Sequence, residues 1–174
     1  MYCNETDTVE RPVHTLIIGY GNSLRGDDGA GPALIEAIEK RMGCSRSQYW
    51  QLISCMQLIP ELTAVMSHCR RVIFVDASVQ LPVGKVTIRR VKANETASSN
   101  LHDYGPEQLV RFCQEIFDCR PEAWIVAIGA TTLELGDILS QTTAEVVERL
   151  AGHLSHRLVR LQSAVEPTVL SAAN

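Results

Sequence analysis

The sequence predicts an α/β protein: a three-layer α/β/α sandwich around a mostly parallel five-stranded sheet, with one antiparallel edge strand. Three observations carry this. Apolar runs of strand length alternate with segments of helical period along the chain. Some of those runs, such as Val72-Ile73-Phe74-Val75, are apolar without interruption, the pattern of a strand covered on both faces. One strand follows another across only Ala77–Val83. That is too short for a parallel crossover of about a dozen residues, so the later strand has to run antiparallel to its neighbours, at a sheet edge.

The first strand is placed near Val13–Gly19. A helix follows near Gly29–Met42, where Ala30, Ala33, Leu34, Ala37 and Ile38 recur at helical spacing and Pro32 sits in the first turn, where a missing N–H is harmless. A strand near Tyr49–Cys55 leads through Gln57-Leu58-Ile59-Pro60 into a helix near Pro60–Ser67, and Arg71–Asp76 is the buried strand. Gly84–Val91 alternates imperfectly and reads as the half-exposed edge strand. Pro106–Phe117 carries Leu109, Val110, Cys113 and Ile116 on one helical face, and Ala123–Ile128 is a further buried strand. The last helix, near Thr142–Leu161, buries Val146, Val147, Leu150, Leu154, Leu158 and Leu161, and Thr142-Thr143-Ala144-Glu145 supplies a capping box at its start. Residues 1–12 and 162–174 read as flexible tails on a single domain.

Composition narrows the function classes. A chain of 174 residues buries a full core without staples, and a net charge of −4 argues against nucleic acid or an anionic membrane as partner. The N-terminal segment has neither the basic start nor the apolar run of a signal peptide, so a cytoplasmic protein is expected. The six cysteines form no Cys-x-x-Cys pair, which disfavours zinc knuckles, iron-sulfur clusters and thioredoxin-like chemistry.

The most informative stretch runs from Leu16 to Pro32, where an apolar strand enters a loop holding five glycines from Gly19 to Gly31 and then presents Asp27 and Asp28 where a helix should begin. Taken alone, either aspartate could be a helix N-cap. A dinucleotide fingerprint fails, because Leu24 stands at the third glycine position. The lysine of a phosphate-cradling loop is also missing, and two carboxylates at a helix mouth would repel phosphate.

Gly19, Gly21, Asn22, Leu24, Asp27, Asp28 and Gly31 together meet the opening pattern of the hydrogenase maturation proteases, which trim the C-terminal extension from the large subunit of nickel-iron hydrogenases. The chain resembles that family. Val72-Ile73-Phe74-Val75-Asp76-Ala77 is similar to the family's second acidic strand end, and Asn100-Leu101-His102 to its metal-site histidine, so the resemblance spans roughly Thr15 to Ser140. It implies that Asp28, Asp76 and His102 engage nickel already held by the substrate, with no tightly bound cofactor in the free protein. Two carboxylates and an imidazole form an oxygen and nitrogen set with open positions, suited to a divalent first-row metal.

Gly19, Asn22, Asp27, Gly129 and Gly136 are the expected substrate-binding positions, with Asp27 read as shaping the turn and the loop from Gly129 to Ser140 as lining the groove. Gln57-Leu58-Ile59-Pro60-Glu61-Leu62 resembles the variant in proteases serving bidirectional NAD-linked hydrogenases. No serine elbow, His-Glu-x-x-His helix or cysteine-histidine dyad supplies a nucleophile. Two rival readings stand beside the protease: a non-catalytic chaperone of the immature subunit, and a metallohydrolase acting on small substrates.

Overall fold

The computed structural model describes residues 15–44, 46–92, 104–131 and 133–165. His102, the Met1–Pro12 arm and the tail beyond Val165 lie outside them. Five strands form one sheet: β1 (Thr15–Tyr20), β2 (Trp50–Cys55), β3 (Arg71–Ser78), β4 (Val86–Arg90) and β5 (Glu122–Gly129). Four helices pack on it: α1 (Ala30–Met42), α2 (Leu62–Met66), α3 (Pro106–Phe117) and α4 (Gln141–Val165). The strand order is β2-β1-β3-β5-β4, parallel throughout except for β4, which pairs antiparallel with β5 at the edge.

Strand alternation sorts the core into two layers. Leu16, Ile18, Val72, Phe74, Ala123 and Ile125 face α2 and α3, whereas Ile17, Val75, Val126 and Ile128 face α1 and α4. Both faces of the central strands are thus covered, which accounts for their unbroken apolar runs.

Three elements depart from their sequence-based bounds, and a fourth has a strand partner that the sequence did not identify. β3 continues to Ser78, so Asp76 lies within the strand and not at its end. α2 is a short helix of 5 residues, because Pro60 and Glu61 make the turn that precedes it. α4 starts at Gln141 and runs to Val165, into the segment read as tail. Its start is capped from Ser140, whose Oγ accepts from the Thr143 N–H at 3.4 Å, and not from Thr142. β4 is antiparallel at the edge, as the short Ala77–Val83 connection requires, yet it does not touch β3: β5 is inserted between them.

Candidate functional site

The chain leaves β1 toward β2 on one side of the sheet and leaves β3 toward β5 and β4 on the other. The carboxyl ends of β1 and β3 therefore flank a topological switch point, where loops diverge and open a crevice. The register Ile18↔Phe74 and Gly19↔Val75 brings the next pair, Tyr20 and Asp76, side by side on the face that carries α2 and α3. Asp76 pairs across to Ala127 on β5, and Ala127 to Thr87 on β4. Tyr20, Asp76, Ala127 and Thr87 line an open cleft of about 450 Å³, closed at its sides by Arg89, Pro106 and Leu133.

The loop after β1 delivers Asp28 to the same crevice. Gly26–Gly29 form a short 3-10 turn that precedes α1, and neither aspartate in it caps that helix, whose N-cap is Gly29. The motif glycines set this geometry by close approach. A Cβ on Gly31 would lie 2.5 Å from the Tyr20 carbonyl oxygen and 2.6 Å from that of Val75, and one on Gly19 would lie 2.2 Å from the Gly31 carbonyl oxygen. The start of α1 can therefore press directly onto the ends of β1 and β3. Gly21, at φ +135°, turns the chain so that its Cα passes under the Asp28 carbonyl. The Asp28 carboxylate then accepts from the Asn22 N–H at 2.8 Å, while Asn22 Oδ1 accepts from the Leu24 N–H at 2.9 Å and fixes the loop from within.

Burial pushes the Asp76 carboxyl up to about 6, and the nearby negative charge of Asp28 adds to the rise against hydrogen bonds from the Tyr20 hydroxyl and the Ala77 N–H. Tyr20 is itself shifted up, first by burial and then by the Asp76 charge. Arg89 lies beside them, paired with Glu107 at 2.7 Å. Asp28 and Asp76 are thus two carboxylates near enough to repel, the second of them in the open cleft, an arrangement that a divalent cation would relieve. His102 lies outside the described residues, and Pro106, four residues beyond it in sequence, lines the cleft. Among the described residues no group of three or more His, Cys, Asp or Glu side chains could hold a metal ion.

Asp27 has a different task. It is fully buried, and its two oxygens accept from the Thr131 N–H at 2.8 Å, the Ser140 N–H at 2.7 Å and the Ser140 hydroxyl at 2.9 Å. Burial alone would raise its pKa, but these hydrogen bonds outweigh it and hold the carboxyl below the usual range. Asp27 thus ties the first loop to the loop between β5 and α4. Gly136 joins the same clamp: the Gly26 N–H donates to its carbonyl at 2.6 Å and its own N–H donates to the Leu24 carbonyl at 3.0 Å. Gly129 is packed under the connection from β3 to β4, where a Cβ would meet the Pro82 carbonyl oxygen at 2.0 Å. Leu24, Leu135 and Ile138, 65%, 91% and 80% exposed, ride on the two clamped loops. Rigidly held apolar side chains in water are a feature of binding surfaces.

Asp27→Ala is expected to destabilise the protein by about 2–4 kcal/mol, since it removes a buried carboxylate that accepts three hydrogen bonds from the two ends of the loop between β5 and α4. Because the folded-state pKa is depressed, the stability Asp27 contributes is complete above its ordinary value of 3.8 and is lost as pH falls through the lower folded value. Chemical denaturation at pH 7 and pH 3 measures both. A variant as stable as the wild type at pH 7 would refute the clamp.

Tyr20 escapes the motif, which leaves that position free, although its place two residues beyond Ile18 marks the face it takes. The buried thiols offer no nucleophile: burial raises Cys69 to about 11 and Cys113 to about 12, so neither is a thiolate near neutral pH. His153 and His156 are exposed on α4, away from the cleft residues. No helix among the described residues is long and apolar enough to cross a membrane.

No protein-family model matches the chain, and no curated protein matches it either. Solved structures do. The chain is similar to the [NiFe] hydrogenase maturation protease HycI from Thermococcus kodakarensis KOD1, with a TM-score of 0.69 and 19% identity over 84% of this chain and 93% of that one. It is similar also to the hydrogenase maturating endopeptidase HybD from E. coli, with a TM-score of 0.68 and 21% identity over 87% and 94% of the two chains. A hydrogenase 3 maturation protease matches at a TM-score of 0.62 and 23% identity over 83% and 90%. The chain thus has the fold of these maturation proteases.

Proposed function

We propose that the protein is an endopeptidase that removes the C-terminal extension of a nickel-iron hydrogenase large-subunit precursor once nickel has been inserted. The observation that carries this reading is that Asp76 lines the cleft at the switch point with the Asp28 charge close enough to act on it, on a fold whose solved examples include three named hydrogenase maturation proteases. The two carboxylates, with His102, contact the nickel of the docked client. Nickel is then part of the substrate, bound weakly when free and firmly when a protein interface presents it. Leu24, Leu135 and Ile138 supply apolar contact area beside that point. The client is a cytoplasmic precursor, and the segment from Gln57 to Leu62 points to a bidirectional NAD-linked hydrogenase.

A purified precursor loaded with nickel, incubated with the purified protein, tests the reading by mass spectrometry. Loss of a C-terminal peptide is the expected result, reduced in Asp28→Asn and in His102→Ala. A precursor that binds but keeps its full mass would make the protein a chaperone. Nickel or another metal retained through dialysis of the free protein would instead favour a self-contained hydrolase.

A further inference from the structure

We propose that Tyr20 is a positioning residue that fixes the Asp76 carboxylate toward the cleft through its hydroxyl, so that Asp76 meets a divalent metal already oriented. This rests on the reading above, in which Asp76 contacts the nickel of the client. Two independent features place the pair. The β1–β3 register sets Tyr20 and Asp76 as neighbours on the same face, one strand spacing apart, and both line the same cleft. The Tyr20 hydroxyl lies within hydrogen-bonding reach of the Asp76 carboxylate, as does the Ala77 N–H.

These two donors take up part of the acceptor capacity of a carboxylate, which offers roughly four lone-pair sites, and leave the remainder for a ligand in the cleft. The Tyr20 ring packs against the core under α2 and α3, so the hydroxyl is held in place from below. Other charges face the pair: Glu107 and Arg89, joined to each other at 2.7 Å, and Asp28 from the first loop. None of these is a neutral donor anchored in the core. Among them, Tyr20 combines a ring packed on the core with a hydroxyl beside Asp76. Donors that orient a ligating side chain typically change metal affinity by about 10–100-fold when removed.

The test uses the full chain and Ni²⁺ alone, with affinities from isothermal titration for wild type, Tyr20→Phe, Asp76→Asn and the double variant. Tyr20→Phe removes one oxygen and keeps the ring, so its circular dichroism should match wild type; Tyr20→Met repeats the measurement if the phenyl variant does not fold. The expected result is at least tenfold weaker Ni²⁺ binding in Tyr20→Phe. The double variant should bind no more weakly than Asp76→Asn, because the hydroxyl acts only through that carboxylate. Folded Tyr20→Phe with wild-type affinity would overturn the proposal, as would losses that add in full, or a wild type that binds no Ni²⁺ at millimolar concentration. The same variants are assayed on nickel-loaded precursor. If wild type leaves the precursor uncut while the Ni²⁺ affinities separate as expected, the endopeptidase reading fails and the role of Tyr20 stands.

Discussion

Asp76→Asn is expected to abolish precursor processing and, in the same protein, to raise the melting temperature at neutral pH. The two effects share one cause. Asp76 sits inside β3 and is mostly removed from water, so its charged form is costly and its pKa is pushed up to about 6. Between its ordinary value of 3.8 and this raised value, the folded state binds more protons than the unfolded state, and stability falls as pH rises through that window. Above it the ionised carboxylate costs the fold at most about 3 kcal/mol, a sum that asparagine of the same shape does not incur. For a domain of this size that corresponds to roughly 2–4 °C per kcal/mol. The difference between variant and wild type should shrink below about pH 6 and vanish near pH 4. Scanning calorimetry across that range, beside a cleavage assay, separates the outcomes. A folded variant that processes at the wild-type rate takes Asp76 out of the site. Equal melting temperatures at pH 8 would show that water reaches the carboxylate.

Nickel-free precursor, folded and in excess, should resist cleavage under conditions where the nickel-loaded form is cut to completion. Asp28 and Asp76 repel each other at the crevice, and a divalent cation converts that repulsion into attraction for both groups at once. Without the metal, a docked client meets two carboxylates with nothing to hold, and only the apolar contacts at Leu24, Leu135 and Ile138 remain. The expected loss in processing rate is at least a hundredfold, on the order of 3 kcal/mol in transition-state stabilisation. Time courses on matched precursor preparations with and without nickel measure it. Cleavage of both at one rate would mean that the carboxylates serve as an ordinary hydrolytic site or as structural groups.

Much of this was legible in the sequence because it is written locally. Gly19, Gly21, Asn22, Asp28 and Gly31 lie within one strand, turn and helix start, and the spacing of that unit depends on backbone contacts inside it. The antiparallel direction of β4 also followed from a local fact, the length of the connection before it. Its partner did not, since only the register of β5 against β3 shows that β5 occupies the intervening place. Asp27 is the sharpest case: its acceptors are satisfied by Thr131 and Ser140, 104 and 113 residues away, and no neighbour in sequence announces that. Ser140 was likewise hidden by Thr142 and Thr143, which offered a plausible cap two residues later, while Ser140 serves both α4 and Asp27. Tyr20 needed both halves: alternation gives its face, but only the pairing of β1 with β3 gives it Asp76.

The insertion of β5 between β3 and β4 has a kinetic consequence. Arg71 and Glu122, paired at the base of β3 and β5, are 51 residues apart, and β4 is complete in sequence long before its strand partner β5 exists. On a ribosome, β1, β2 and β3 can pair early through parallel crossovers, but β4 must wait until the chain has passed Gly129. The loop closure that seats β5 is therefore a late event, and it exposes one flank of β3, Asp76 included, until it occurs. The wall of the cleft contributed by Ala127 and Thr87 is assembled last, so a nascent or truncated chain lacking β5 would carry the acidic pair without that wall of the cleft.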